Sequence, residues 1–147
     1  MSMGLRKRAA AVAVSTALLV GGGVAAATSA SAGYMCGAGY HCVYWATIGD
    51  SGQHDYYNSD RDFTNDYFDA ARPEPGSDEN VNDNVRAASN SSTGGYESHY
   101  YRDIDYKGGL LFCVNPGSQI WYGGLESWQE AQASSLLLRP STTIKCF

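Results

Sequence analysis

The stretch Tyr101-Arg-Asp-Ile-Asp-Tyr106-Lys-Gly108 contains two aromatic residues separated by four positions, then one spacer and a glycine. This spacing predicts a β-hairpin that folds back on itself. The rings of Tyr101 and Tyr106 would pack on one face of the bend, and Gly108 would adopt a backbone conformation that residues with a Cβ avoid. A serine further along the chain can hydrogen-bond the bent backbone and fix it over a sheet.

The first half of the chain contains a weaker copy of this pattern. Trp45 and Gly52 have the same separation of seven positions, but Asp50 stands where the second aromatic residue is expected. Further along, Asn84–Ser89 loosely matches Gln129–Ser134. Two copies in one chain favour an internal repeat over coincidence in a sequence rich in tyrosine and glycine.

The rest of the sequence after Gly33 is typical of short β-strands. No stretch keeps apolar residues at helical spacing for three turns, and short apolar or alternating runs lie between Gly, Asn, Asp and Ser clusters. This pattern predicts an all-β sandwich or barrel. The extra first-half segment Ala71–Asn80 is rich in Pro, Glu, Asp and Gly and is predicted to be a solvated loop. The predicted strands are His41–Ala46, Gln53–Asn58, Val85–Ser89, Ser98–Arg102, Gly109–Val114, Gln119–Tyr122 and Ser134–Leu138.

Residues 1–32 have the three parts of a secretory signal peptide. A basic Arg6-Lys7-Arg8 precedes the uncharged apolar run Ala9–Val20, and Ala30-Ser31-Ala32 provides a cleavage site of small residues. An uncleaved membrane anchor is the alternative, but the adjacent glycines Gly21–Gly23 make a poor span. We therefore expect a secreted, extracellular protein whose mature domain covers residues 33–147 and has no membrane contact after cleavage.

The charge of the mature chain argues against polyanionic partners. The whole sequence has 10 Lys and Arg against 15 Asp and Glu, and cleavage after residue 32 leaves 7 against 15. An acidic protein lacks the basic surface that phosphate groups require, so nucleic acid is not an expected partner. Anionic membrane surfaces are disfavoured for the same reason.

The four cysteines, Cys36, Cys42, Cys113 and Cys146, predict disulfides because an even number occurs in a small exported protein. Four cysteines allow three pairings. A Cys36–Cys42 bond closes a short loop at low entropic cost, which favours this bond together with Cys113–Cys146. A zinc site is the rival interpretation, but no Cys-x-x-Cys occurs and the three histidines share no ligand spacing.

The hairpin pattern resembles the Greek-key signature of βγ-crystallin domains. With its signal peptide and four cysteines, the chain also resembles the secreted bacterial metalloproteinase inhibitors of peptidase inhibitor family 36. The matching segments are Cys36–Trp45, Tyr101–Gly109 and Leu111–Gly117, with weaker support from Trp128 and Ala133–Ser135. The resemblance implies a βγ-crystallin-like double Greek-key sandwich with two disulfides, one near the first strand and one tying a central strand to the end of the chain. No cofactor is expected, and a monomer is expected because two Greek keys can bury their inner faces against each other.

The resemblance also implies a reactive bond. In the resembled inhibitors this bond joins a cysteine to an aliphatic residue, and the matching pair here is Cys113 and Val114, flanked by Phe112 and Asn115. Thermolysin-type metalloproteinases favour a bulky apolar residue after the cleaved bond, and a disulfide beside that bond lowers the entropic cost of binding. The alternative for Val114 is core packing in a strand anchored by the disulfide.

A calcium motif is present only in degenerate form. Many crystallin-like modules bind Ca²⁺ through two adjacent Asn or Asp residues, two spacers, and then Ser or Thr and Ser, which supply oxygen ligands. Asp83 and Asn84 begin such a motif, but Ala87 and Ala88 occupy its hydroxyl positions. The second copy, Glu130–Ser135, keeps the serines and lacks the acidic pair. We therefore expect no full metal site.

Two functional hypotheses follow from the sequence. No motif supplies a nucleophile with its base, so the chain is predicted not to be an enzyme. The leading hypothesis is a secreted proteinaceous inhibitor of thermolysin-like metalloproteinases. The alternative is a non-inhibitory extracellular crystallin-like module that is calcium-associated, binding or growth-inhibiting.

Overall fold

Seven short β-strands make up most of the regular structure in a computed structural model that describes residues 35–71 and 73–147. The predicted signal peptide, residues 1–32, lies outside the described residues. Each strand coincides with one of the seven predicted strands, and the ends differ by at most two residues. The all-β prediction is therefore confirmed. The strands are β1 His41–Tyr44, β2 Gln53–Tyr56, β3 Ala87–Asn90, β4 Tyr96–Asp103, β5 Lys107–Val114, β6 Gln119–Ile120 and β7 Ser135–Pro140, and two 3₁₀ helices span Phe63–Asn65 and Ile104–Tyr106.

The strands form two antiparallel sheets that exchange segments between the halves of the chain. One sheet has the order β2-β1-β3-β6 and the other the order β5-β4-β7. In the first sheet, the second-half strand β6 pairs with the first-half strand β3. In return, Asp60 of the first half forms an antiparallel bridge with Leu136 of β7, with both N–H···O distances at 2.8 Å. This exchange interlocks two Greek keys. Within the described residues, no helix is long and apolar enough to cross a bilayer.

The second-half hairpin has the folded-back form expected from its sequence. The rings of Tyr101 and Tyr106 pack edge to face with centroids 6.2 Å apart. Gly108 has a φ of 72°, and a Cβ there would lie 2.5 Å from the carboxyl carbon of Asp103. The hydroxyl of Ser135 donates to the carbonyl of Asp103 at 2.7 Å and accepts from the N–H of Tyr106 at 3.2 Å. Ser135 is therefore the serine that fixes the bend over the sheet.

The first-half hairpin is held by the inserted segment instead. A Cβ on Gly52 would lie 2.7 Å from the carbonyl oxygen of Gly76, and a Cβ on Gly76 would overlap the ring of Trp45. The described residues of the insert, 71 and 73–80, form a loop in which no residue is buried, as predicted, and its turn at Pro75 and Gly76 packs against the hairpin. Ala87 pairs with Tyr44 of β1 as Ser135 pairs with Tyr101 of β4, so Ala87 stands at the position of the anchoring serine and has no hydroxyl to fix this bend.

The core lies between the two sheets and draws on both halves of the chain. Tyr100 and Phe112 stack with centroids 4.5 Å apart, and Tyr56 stacks on Phe63 at 5.0 Å. The disulfides join Cys36 to Cys42 and Cys113 to Cys146, which confirms the predicted pairing. The other members of the main core are Val43, Phe68, Val81, Val85, Ala88, Leu111, Val114, Ile120, Leu125, Ala133 and Leu136.

Candidate functional site

The reactive bond predicted from the resemblance lies in the interior of the protein. Cys113 is 2% exposed, Val114 is fully buried, and the flanking Phe112 is 4% exposed. The side chain of Asn90 donates to the carbonyl of Val114 at 2.9 Å. A protease would have to peel β5 away from β4 to reach the bond. This burial favours the core-packing interpretation of Val114.

The outer edge of β5 is covered by the last residues of the sequence. Phe147 donates its N–H to the carbonyl of Cys113 at 3.0 Å and accepts from the N–H of Asn115 at 2.8 Å. The side-chain amide of Asn115 also donates to the carbonyl of Cys146 at 3.2 Å. The disulfide between Cys113 and Cys146 makes this attachment covalent. Asn115, the second predicted flanking residue, is therefore a structural contact for the covering segment.

Residues 141–147, here called the clamped segment, cross the end of the three-stranded sheet. The segment leaves β7, passes Glu97 near the start of β4 and reaches the outer edge of β5. Near its beginning, the N–H and the hydroxyl of Thr142 donate to the two carboxylate oxygens of Glu97 at 2.9 and 2.8 Å. Near its end, Cys146 is bonded to Cys113. Both ends of the segment are thus fixed to the buried sheet.

The anchor at Glu97 is charged, and its pKa is lowered. Its side chain is 3% exposed, and burial alone would raise the pKa of the carboxyl group. Hydrogen bonds from His99 and Thr142 outweigh burial and hold the pKa below its ordinary value. Because a carboxylate can only accept, the Nε2 atom of His99 donates to it, at 2.7 Å.

The middle of the clamped segment is exposed. Ile144 is 41% exposed, and the chain bends at residues 143 and 144. The N–H of Ile144 donates to the hydroxyl of Thr142 at 3.2 Å, which further orders the bend. An apolar side chain is therefore presented to solvent between two fixed points, with a disulfide two residues away.

One cluster beside this segment has the composition of a metal site. The candidate ligand atoms of His99, Cys113 and Cys146 lie within 4.8 Å of one another, and the Nδ1 atom of His99 has no hydrogen-bond partner among the described residues. Both sulfurs, however, belong to the disulfide. Since zinc is bound by thiolates, the cluster does not fit a metal while the disulfide is intact.

The two copies of the calcium motif lie side by side in the structure. Their residues correspond in a different register from the one inferred from the sequence. Asp83 donates its N–H to the carbonyl of Ala133 at 3.0 Å, and Ala131 donates to the carbonyl of Val85 at 2.9 Å. Asp83 and Ala131 also both have positive φ, 57° and 54°. Asp83 therefore corresponds to Ala131, whereas the comparison of the two calcium-motif sequences paired Asp83 with Glu130. The correct register places Arg86 and Ala87 at the hydroxyl positions of the first copy.

Arg86 places a positive charge where the degenerate motif would need a cation. Its guanidinium donates to the carbonyls of Trp45 at 2.9 Å and Asn84 at 3.4 Å. Its Nε lies 3.7 Å from the carboxylate of Glu130, and the group stacks on the Trp45 ring at 4.7 Å. Calcium prefers such oxygen donors, but the guanidinium already uses them. The residues on this side do not fit a calcium ion.

The opposite side of the degenerate motif retains a sparse set of oxygen atoms. The hydroxyl of Ser134 lies 3.4 Å from a carboxylate oxygen of Asp83, and the amide of Asn82 donates to the other carboxylate oxygen at 2.8 Å. Asn84, the second predicted residue of the motif, instead directs its amide to the carbonyl of Asn80 at 3.0 Å. The predicted pair Asp83 and Asn84 therefore does not converge on one point.

The sequence missed the clamped segment because its anchor depends on tertiary structure. The pairing of Cys146 was predicted, so the nearby Ile144 could have been noticed as an apolar residue beside a disulfide. Nothing in the order of residues, however, places Thr142 against Glu97, since 45 positions separate them.

Comparisons with known proteins establish the fold alone. No family model and no curated protein matches the chain. A structure solved in work on the evolution of the eye lens βγ-crystallin domain fold is 14% identical, with a TM-score of 0.52, and covers 73% of this chain and 92% of its own. The N-terminal domain of protein S is 11% identical, with a TM-score of 0.42, and covers 69% and 96%. Together with its interlocked Greek keys, the first likeness shows that the chain has the βγ-crystallin-like fold predicted from its sequence.

Proposed function

We propose that the chain is a secreted, non-enzymatic inhibitor of thermolysin-like metalloproteinases and that the clamped segment enters the protease cleft. The observation that carries the proposal is an exposed apolar residue, Ile144, between two attachments, from Thr142 to the buried Glu97 and from Cys146 to the buried Cys113. A preordered segment loses little conformational entropy on binding, which favours tight association. The two disulfides, which indicate an oxidising environment, and the predicted signal peptide support secretion.

The position of Ile144 selects the bond presented to the enzyme. Thermolysin-type enzymes favour a bulky apolar residue directly after the cleaved bond, so the bond between Thr143 and Ile144 takes the place first assigned to Cys113 and Val114. Hydrolysis adds one water and leaves a carboxylate on Thr143 and an amine on Ile144. The first new end stays attached through Thr142 and Glu97, and the second through the Cys146 disulfide. The ends remain close, so the bond can reform with loss of water.

An inhibition titration with a matched pair of variants tests both parts of the proposal. Thermolysin is titrated with the mature protein, and subtilisin serves as the control protease. We expect stoichiometric inhibition of thermolysin alone. Ile144→Asp should weaken inhibition roughly 100-fold or more, because an apolar specificity pocket rejects a carboxylate. Ile104→Asp is the matched control, since Ile104 is 44% exposed on a different hairpin, and it should inhibit like the wild type.

The possible failures of this titration are distinguishable. Absence of thermolysin inhibition at micromolar wild-type protein would contradict the inhibitor function. Inhibition that Ile144→Asp leaves unchanged would instead contradict the role of the clamped segment and leave the inhibitor function standing. A non-inhibitory crystallin-like binding module is the second candidate. It is favoured by an uncharged groove whose lining does not include residues 141–147.

A further inference from the structure

A groove of about 400 Å³ lies where the two halves of the chain meet. The first half contributes His41 and Tyr57, and later segments contribute Tyr96 and Leu138. Its volume falls within the range of roughly 300–1,000 Å³ that is common for small-molecule sites. The proposed inhibitory function does not use this groove.

Two tyrosine rings line the groove, and glycines lie against both of them. Tyr57 is 64% exposed and Tyr96 is 45% exposed. A Cβ on Gly39 would lie 3.4 Å from the Tyr57 ring, and a Cβ on Gly94 would lie 3.1 Å from the Tyr96 ring. Tyr40 also packs edge-on against Tyr57, with centroids 5.4 Å apart. The groove therefore offers two supported aromatic surfaces that are open to solvent.

The lining carries no formal charge at neutral pH. None of the residues that line the groove is Asp, Glu, Lys or Arg. His41 forms part of the lining and is 2% exposed, with its Nδ1 atom 2.6 Å from the hydroxyl of Ser98. Burial lowers the pKa of His41 to about 4, so the ring is neutral at pH 7. A charged ligand would lose hydration here without gaining an ionic partner.

Neutral hydrogen-bonding groups complete the lining. The amide of Asn58 and the hydroxyl of Thr93 make no side-chain hydrogen bond to another described residue, so both can serve a ligand. The hydroxyl oxygen of Ser59 accepts from the N–H of Leu138 at 2.9 Å, which leaves its O–H available as a donor. Aromatic surfaces beside uncharged donors and acceptors match a sugar ring, which has apolar C–H faces and hydroxyl edges.

We propose that this groove binds a neutral oligosaccharide. Tyr57 and Tyr96 stack against its sugar rings, and Asn58 and Thr93 hydrogen-bond its hydroxyl groups. Binding requires no metal ion and does not depend on the clamped segment.

Calorimetric titration of the mature protein with three neutral hexasaccharides tests the proposal. The probes are β-1,4-linked glucose, β-1,4-linked N-acetylglucosamine and α-1,4-linked glucose. We expect at least one to bind with a dissociation constant below roughly 1 mM, and Tyr57→Ala and Tyr96→Ala each to weaken that binding about tenfold or more. Tyr122→Ala is the matched control, because Tyr122 is 54% exposed and does not line the groove. It should leave binding unchanged.

Three results would overturn the assignment. The first is that no probe binds at millimolar concentration. The second is that Tyr122→Ala loses as much binding as the groove variants, and the third is that Tyr57→Ala and Tyr96→Ala both bind like the wild type. Thermal melting of each variant separates loss of the site from loss of the fold, and exposed tyrosines should leave the melting temperature nearly unchanged. If a groove variant does unfold, Asn58→Ala replaces it in the comparison and should again weaken binding.

Discussion

The guanidinium of Arg86 contacts the Trp45 carbonyl, the Trp45 ring and the carboxylate of Glu130. In a calcium-binding module, an ion would be needed to neutralise such oxygens. Here a side chain supplies the charge permanently, so this part of the fold should be stable without calcium. Arg86 also hides the register of the two motif copies in the sequence, because a long cationic residue stands where the motif has a hydroxyl.

Replacing Arg86 by alanine should destabilise the protein by about 1–3 kcal/mol, because it leaves the half-buried Glu130 without its ionic partner. Arg102→Ala is the control. Arg102 is exposed and makes two hydrogen bonds of 3.3 Å, so its loss should cost less than about 1 kcal/mol. Denaturant unfolding measures both. Equal costs for the two variants would contradict the structural role of Arg86, as would a rise in wild-type stability with millimolar calcium.

His41 should make stability depend on pH. Its folded pKa of about 4 lies below the unfolded value of 6.5, so the unfolded chain binds the additional proton in this window. The contribution of the neutral His41 ring to the free energy of unfolding is therefore fully present above pH 6.5, and it is lost as the pH falls toward 4. The loss should be on the order of 3 kcal/mol. Denaturant unfolding at intervals between pH 7 and 4 measures it, and His41→Asn should show a shallower slope. An identical slope in that variant would refute the assignment.

At the scale of elements, the strands and turns could be predicted because their signals are local. Alternating runs between Gly-rich turns predicted the seven strands described above. The disulfide pairing could be predicted because a bond between Cys36 and Cys42 closes only a short loop. The packing of Gly76 against Trp45 and the burial of Val114 depend on which surfaces meet in three dimensions. The anchoring of Thr142 by Glu97 has the same origin. Local sequence patterns therefore predicted the fold, whereas the contacts that decide which segments are accessible could not be read from them.

The two disulfides should differ in their effect on these elements. A disulfide stabilises the folded state by restricting the unfolded chain, and the effect grows with the length of the closed loop. The 33-residue separation of Cys113 and Cys146 corresponds to a stabilisation of about 4 kcal/mol, and the 6-residue separation of Cys36 and Cys42 to about 2 kcal/mol. Replacing each pair by serines and measuring denaturant unfolding should give costs in that order. In addition, the Cys113/Cys146 variant should lose inhibition, because one end of the clamped segment is free. Retained inhibition in a folded variant would contradict the need for this clamp.

Interlocking of the two Greek keys gives the molecule a rigid body from which exposed segments project. The second-half strand β6 pairs with β3 of the first half, and Asp60 of the first half pairs with Leu136 of β7. Neither half can therefore move without breaking backbone hydrogen bonds. The clamped segment is attached to this body at both ends. This rigidity is what the proposed inhibitory mechanism requires, since a flexible segment would be cleaved and released as a substrate.

Mass spectrometry of the mature protein after incubation with a catalytic amount of thermolysin tests the proposed inhibitory segment most directly. We expect one slow cut, between Thr143 and Ile144. The chain should gain the mass of one water while the disulfide is intact, and the peptide from Ile144 to Phe147 should be released only on reduction. Cleavage between Cys113 and Val114, or rapid cleavage at several other bonds, would contradict the proposed role of this segment.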